Sequence, residues 1–189
     1  KLTSAGRPAY GVEVVVMDEN DVEAPRGTVG EICARGLNVM RGYWGMEEQS
    51  RETLRNGWLH TGDLGYMDEE GFIFLVDRAK DMIISGGENI FSVEVEGAIY
   101  QHPAVQECAV IGIPSEQWGE AVLAVVVPKD GATVTGEEII AHCRTLIAGY
   151  KVPRSVELRQ EPLPVSGAGK ILKTDLRKPY WAGRSKSVN

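Results

Sequence analysis

A chain of 189 residues with a formal net charge of −7 and 43% hydrophobic residues has the composition of a globular protein that buries a core. The acidic balance argues against a nucleic-acid partner, which needs a basic face, and no apolar run approaches the ~20 residues that cross a bilayer. The three cysteines, Cys33, Cys108 and Cys143, are far apart and form no C-x-x-C pair, so neither a disulfide framework nor a zinc site is indicated and a reducing cytosol is expected.

The chain reads first as strands and turns. Val12-Glu13-Val14-Val15-Val16 alternates into the turn cluster Asp18-Glu19-Asn20-Asp21, and Thr28-Val29-Gly30-Glu31-Ile32-Cys33-Ala34 alternates again, as barrel strands do. A short helix is expected over residues 47–54. Gly65-Tyr66-Met67 and Phe72-Ile73-Phe74-Leu75 flank the turn Asp68-Glu69-Glu70-Gly71, which predicts a hairpin. After Arg78 the pattern changes. Ser92 is placed as an N-cap with Glu94 and Glu96 in the first turn, and the helix runs to about Gln101 before His102-Pro103. Residues 105–113 and 120–127 are apolar β-branched runs of strand length, and Val156-Glu157-Leu158 gives a third strand. A second helix over about residues 136–147 aligns Ile139, Ile140, Cys143, Leu146 and Ile147 on one face. The expected fold is therefore α+β: a small three-stranded sheet with helices, preceded by a β-rich barrel-type segment.

Several short segments carry chemistry. Asp63 follows Thr61-Gly62, where a glycine lets the chain turn and aim a carboxylate that can accept from both hydroxyls of a ribose; an ordinary turn aspartate fits the same residues. Arg78 offers a rigid fork suited to paired oxygens. Ser85-Gly86-Gly87 leaves bare backbone able to line a narrow channel, or forms a plain turn. In Pro164-Val165-Ser166-Gly167-Ala168-Gly169-Lys170 a lysine stands at the end of a glycine-rich arm, anchored by the apolar pattern of Ile171-Leu172-Lys173-Thr174-Asp175-Leu176. Such a point cation suits a phosphate or a developing oxyanion, and equally a solvated loop. From Lys170 onward Lys170, Lys173, Arg177, Lys178, Arg184 and Lys186 stand against Asp175. His60, His102 and His142 are scattered and form no triad or metal set legible in the sequence.

Taken in order, Trp58-Leu59-His60-Thr61-Gly62-Asp63, Val76-Asp77-Arg78-Ala79-Lys80-Asp81, Ile84-Ser85-Gly86-Gly87-Glu88-Asn89 and the lysine arm resemble the adenylate-forming superfamily of acyl-CoA synthetases, luciferases and adenylation domains. Gly30-Glu31-Ile32 and Arg41-Gly42-Tyr43-Trp44 extend the likeness over nearly the whole chain. The resemblance implies that Lys170 is the catalytic lysine, that Asp63 and Arg78 bind ATP or AMP, and that Lys80 is a hinge, although a surface lysine beside Asp77 or Asp81 fits equally well. It further implies that Ser85, Gly86 and Gly87 line the path of coenzyme A, with Trp118 near its adenine and Tyr150-Lys151 a weaker candidate there.

On this reading residues 1–77 end a large N-terminal domain, 78–82 form the hinge and 83–189 form a C-terminal lid domain. There is no Ser/Thr/Gly-rich phosphate loop with lysine, no Tyr-Gly-x-Thr-Glu segment and no stretch long enough for an acyl pocket. The resemblance thus implies an inactive C-terminal fragment of an ATP-dependent carboxylic acid:CoA ligase, its partners being a fatty acid, ATP, CoA and the missing N-terminal domain. Mg2+ would be bound mainly by that domain. The implied location is the cytoplasm, peripheral to a membrane if the acid is long-chain. Alternatives are an aryl or coumarate-type CoA ligase, a carrier-protein adenylation domain, and a non-catalytic module.

Overall fold

Val12, Val14 and Val16 share one side of β1 (Val12–Met17), which buries Val16 and Met17 and pairs antiparallel with β2 (Gly30–Gly36) in the computed structural model, where residues 1–183 are described. Arg184 and Lys186 lie outside the described residues. A short helix, α1 (Glu47–Thr53), precedes β3 (Leu59–Met67), and the Asp68 turn joins β3 to β4 (Ile73–Arg78). The turn forms because Asp68 Oδ1 accepts from the backbone amides of Glu70 and Phe72 at 3.0 and 2.8 Å, an Asx-type closure. These strands form a sheet in the order β1-β2-β3-β4, and no described strand joins β1 to β4. Val16, Ile32, Met67 and Ile73 make its small core, while Leu2, Tyr10, Leu37 and Trp44 are fully exposed.

Contacts divide the chain into two compact units between Lys80 and Asp81. In the second unit β5 (Ile83–Ser85) and β6 (Glu88–Ile90) form a short hairpin, followed by α2 (Ser92–Ile99), β7 (Val105–Ser115), β8 (Gly119–Pro128), α3 (Gly136–Arg144), β9 (Ser155–Leu158) and α4 (Lys173–Trp181). The described sheet has five strands where three were expected. β7 and β8 pair over their whole length, and the other edge of β8 takes β5 at Ser85↔Gly119 and, in parallel, β9 at Leu123–Val126. Three-residue strands such as β5 and β6 are too short to show a period, which is why the sequence does not announce them.

The unbroken apolar runs of β7 and β8 reflect a sheet covered on both faces. Val110, Val122, Ala124 and Val126 face a cluster with Val95, Ile99, Ile139 and Cys143 from α2 and α3. Ala109, Ile111, Leu123, Val125 and Val127 face Leu163 and the buried Leu176 of α4. Two helix ends differ from expectation. Ser92 is not an N-cap but the first residue of α2; it is fully buried, and its Oγ accepts from Lys173 Nζ at 2.7 Å. α3 ends at Arg144, so Leu146 and Ile147 lie beyond it, and its start is set by a capping box between Thr135 and Glu138. No helix among the described residues is long and apolar enough to cross a membrane.

Candidate functional site

Asp63 and Arg78 are register partners across β3 and β4, and Arg78 Nε donates to Asp63 Oδ1 at 3.0 Å. Asp63 lies within a strand, not in the turn expected for it. The strand is interrupted instead: Glu31 pairs with Leu64 and Cys33 with His60, so Ile32 alone faces Thr61, Gly62 and Asp63. This bulge needs Gly62 in the left-handed region, at φ 72°. It is closed by side chains where the ladder fails. Thr61 Oγ1 donates to the Ile32 carbonyl at 2.7 Å and accepts from the Asp63 amide at 3.1 Å, and Glu31 Oε1 accepts from the Gly62 amide at 2.9 Å. The Gly62 carbonyl accepts from the Ala79 amide at 2.9 Å, just past Arg78. With side chains 39% and 53% accessible, Asp63 and Arg78 present paired hydrogen-bonding groups to solvent.

Behind the bulge stands a charged cluster that sequence reasoning missed. Glu31 Oε2 lies 2.8 Å from His60 Nδ1 and 3.5 Å from an Arg55 amino nitrogen, and Arg55 donates twice to Asp21 at 3.0 and 3.1 Å. His60 Nδ1 also lies 3.4 Å from Cys33 Sγ. The hydrogen bond from Arg55 holds the Asp21 carboxyl below the usual range, and Asp21 in turn raises the Arg55 pKa. Glu31, Cys33 and His60 each offer a potential metal-ligand atom within 4.8 Å of the others. His60 Nδ1 is hydrogen-bonded to Glu31, and burial followed by the Glu31 charge pushes the Cys33 thiol up to about 12.

In the second unit Ser85, Gly86, Gly87 and Trp118 come together. Ser85 pairs with Gly119, the Gly86 amide donates to the Trp118 carbonyl at 2.9 Å, and the Trp118 ring covers Gly86. Gly86 and Gly87 are exposed, so the turn offers open backbone beside a 40%-exposed indole. Arg154 Cζ lies 5.6 Å from the Trp118 ring, a cation–π neighbour with no local sequence signal. Glu120 anchors the hairpin from β8: its buried carboxylate accepts from the Ile84 amide at 3.0 Å. Tyr150 is exposed, whereas the Lys151 ammonium donates to both Glu94 oxygens at 2.7 Å, which raises its pKa. His102 and His142, distant in sequence, meet edge to face at 5.1 Å between ring centroids.

Lys170 occupies a hairpin of its own. Val165 bridges to Ile171, the Ser166 amide donates to the Lys170 carbonyl at 2.8 Å, and the Lys170 amide donates to Ser166 Oγ at 3.2 Å. Its side chain is exposed and makes no ion pair among the described residues. The arm is anchored by α4, whose Lys173 pairs with Glu96 at 2.6 Å and whose Arg177 pairs with the buried Asp81 at 3.0 Å. Lys80, exposed, is the last residue of the first unit.

The bulged carboxylate–guanidinium pair, the open glycine turn under an indole and the solvent-facing lysine on a tight hairpin are the groups that the motif order singles out. Family models agree: residues 94–170 match the AMP-binding enzyme C-terminal domain, and residues 1–44 match the AMP-binding enzyme model. The chain is 49% identical over 180 residues to a feruloyl-CoA synthase of Amycolatopsis sp, spanning 95% of this chain and 36% of that protein. It is 48% identical over 174 residues to a long-chain-fatty-acid–CoA ligase of Escherichia coli O6:H1, spanning 92% of this chain and 31% of that protein. ATP-bound MatB from Rhodopseudomonas palustris superposes with a TM-score of 0.88 at 37% identity, over 97% of this chain and 37% of that one. The chain belongs to the AMP-binding enzyme family and spans about a third of the length of the relatives it matches.

Proposed function

We propose that the protein containing this chain is an AMP-forming carboxylic acid:CoA ligase. It joins a carboxylate to ATP, giving acyl-AMP and pyrophosphate; the CoA thiol then attacks the acyl carbon and AMP leaves. Asp63 accepts from the ribose hydroxyls, and Arg78 donates to the same nucleotide. Lys170 bridges carboxylate and α-phosphate oxygens and offsets charge in the first transition state. Residues 85–87 and Trp118 receive the pantetheine arm and adenine of CoA in the second step, and Lys80 is the pivot, within 78–82, between the two arrangements. The Mg2+ that accompanies ATP would be held mainly by polypeptide outside this chain, which would also cover the exposed Leu37 and Trp44 and build the acyl pocket. The observation that carries this reading is the exposed Lys170, presented by a short hairpin and engaged by no ion pair among the described residues.

The acid is proposed as fatty or aryl-propenoic, the substrate classes named by the two relatives of nearly equal identity. A thioesterification panel with ferulate and long-chain fatty acids on the full-length ligase separates the two. There, Lys170→Ala should lower ATP–pyrophosphate exchange about 10²- to 10³-fold while largely sparing thioester formation from supplied acyl-AMP. Equal loss in both half-reactions refutes this division of labour. Lys80→Pro should do the reverse, and normal turnover there removes Lys80 as pivot. The isolated chain should show no exchange.

A further inference from the structure

Glu31 sits in a strand distant from the nucleotide-facing groups in sequence, yet it supplies the hydrogen bond that the ladder omits at the bulge. Its Oε1 accepts from Gly62, the residue before Asp63, while Oε2 is fixed by His60 Nδ1 and Arg55. Arg55 is fixed in turn by Asp21, and Asn56 Nδ2 donates to Asp21 Oδ2 at 2.9 Å. Among the described residues, Asp21 at φ 57° and Asn56 at φ 55° are the non-glycine residues with left-handed backbone. Both belong to this one cluster. Aspartate and asparagine are the side chains that tolerate this region best, and the Asp21 carboxylate holds both Arg55 and Asn56.

We propose that Glu31 is a positioning residue for nucleotide binding: braced by Arg55 and His60, it sets the Thr61-Gly62-Asp63 bulge and so aims the Asp63 carboxylate. This rests on the reading of Asp63 as the nucleotide-binding carboxylate. The brace runs from Asp21 through Arg55 to Glu31, then to the Gly62 amide and the adjoining Asp63. Without Glu31 the Gly62 amide loses its acceptor, and the bulge is free to relax. Asp63 then keeps its charge but loses its direction, so the defect falls on ATP and leaves CoA alone.

The test is steady-state kinetics of the full-length ligase with Glu31→Ala, Asp63→Ala and the double variant. Glu31→Ala should raise KM for ATP about 5- to 50-fold, the effect of losing one charge-assisted hydrogen bond, with KM for CoA within about twofold of the parent. Added to Asp63→Ala, it should raise KM for ATP by less than about twofold more, because both changes remove the same contact. If Glu31→Ala does not fold, Glu31→Asp, which keeps the charge but withdraws the oxygen by a methylene, should show the same split. Glu31→Gln, which keeps an acceptor for Gly62 but sets an NH2 donor against Arg55, should raise KM for ATP less than Glu31→Ala. Additive effects of Glu31→Ala and Asp63→Ala, or parallel changes in KM for ATP and CoA, overturn the proposal. If Asp63→Ala raises KM for ATP and the Glu31 variants do not, the proposal alone falls. If Asp63→Ala leaves it unchanged, the nucleotide reading falls, and the proposal with it.

Discussion

The Trp118 ring lies so close over Gly86 that a Cβ there would meet Trp118 Cε3 at 2.9 Å, and Gly86 has φ 62°. Both constraints exclude a side chain. Gly86→Ala should therefore destabilise the second unit by about 1–3 kcal/mol, from left-handed backbone strain and displacement of the ring. Thermal denaturation followed by tryptophan fluorescence checks it. Gly86→Ala/Trp118→Ala should recover the part due to the clash; if it recovers nothing, the ring is not what confines Gly86.

The Asp63–Arg78 pair should matter little to folding. Both side chains are more than a third accessible, and exposed ion pairs contribute about 0–1 kcal/mol. Asp63→Asn should leave the melting temperature of this chain within a few degrees while weakening AMP binding to the full-length ligase about tenfold or more. A large loss of stability with unchanged AMP affinity would make the pair structural.

Acid should weaken each unit through its own carboxylate. The Arg55 hydrogen bond depresses the Asp21 pKa, and hydrogen bonding from Tyr180, followed in effect by that from Arg159, depresses Glu157. A depressed carboxyl adds stability above its unfolded pKa and loses it as pH falls through the folded value, so unfolding free energy should decline below about pH 4. Asp21→Asn should flatten this slope in the first unit and Glu157→Gln in the second, measured by denaturant unfolding at pH 2 to 7. At the other extreme Lys151, raised by Glu94, contributes below its unfolded pKa and loses that contribution as pH rises through the folded one, above about pH 10.5. Glu94→Gln should remove that alkaline slope.

The thiols should be silent in the folded protein. Cys33, Cys108 and Cys143 are buried, and burial raises all three, Cys33 and Cys108 to about 12. A disulfide reagent at pH 8 should modify none until denaturant is added. Rapid labelling of Cys33 under native conditions would show that the sheet around His60 opens.

Local chemistry made much of this fold legible. Asp68 announces its turn because one carboxylate closes it within four residues, and β7 and β8 announce themselves because both faces of their sheet are covered. Thr135 and Glu138 carry a capping-box signal in their spacing alone. Ser92 misleads because a serine before a helix usually caps it, whereas here its hydroxyl serves Lys173, 81 positions away. Nothing local marks Arg154 as the neighbour of Trp118, or Asp21 as the partner of Arg55.

The order of short motifs in the chain determined the family, and apolar periodicity determined the α+β class, since each depends on side-chain type and near neighbours. Tertiary structure alone decided that Asp63 leaves a bulge and not a turn, that Gly86 lies beneath an indole, and that Glu31 backs Gly62. Those facts depend on strand register and on contacts between residues about 30 positions apart, which hydrophobic periodicity does not encode.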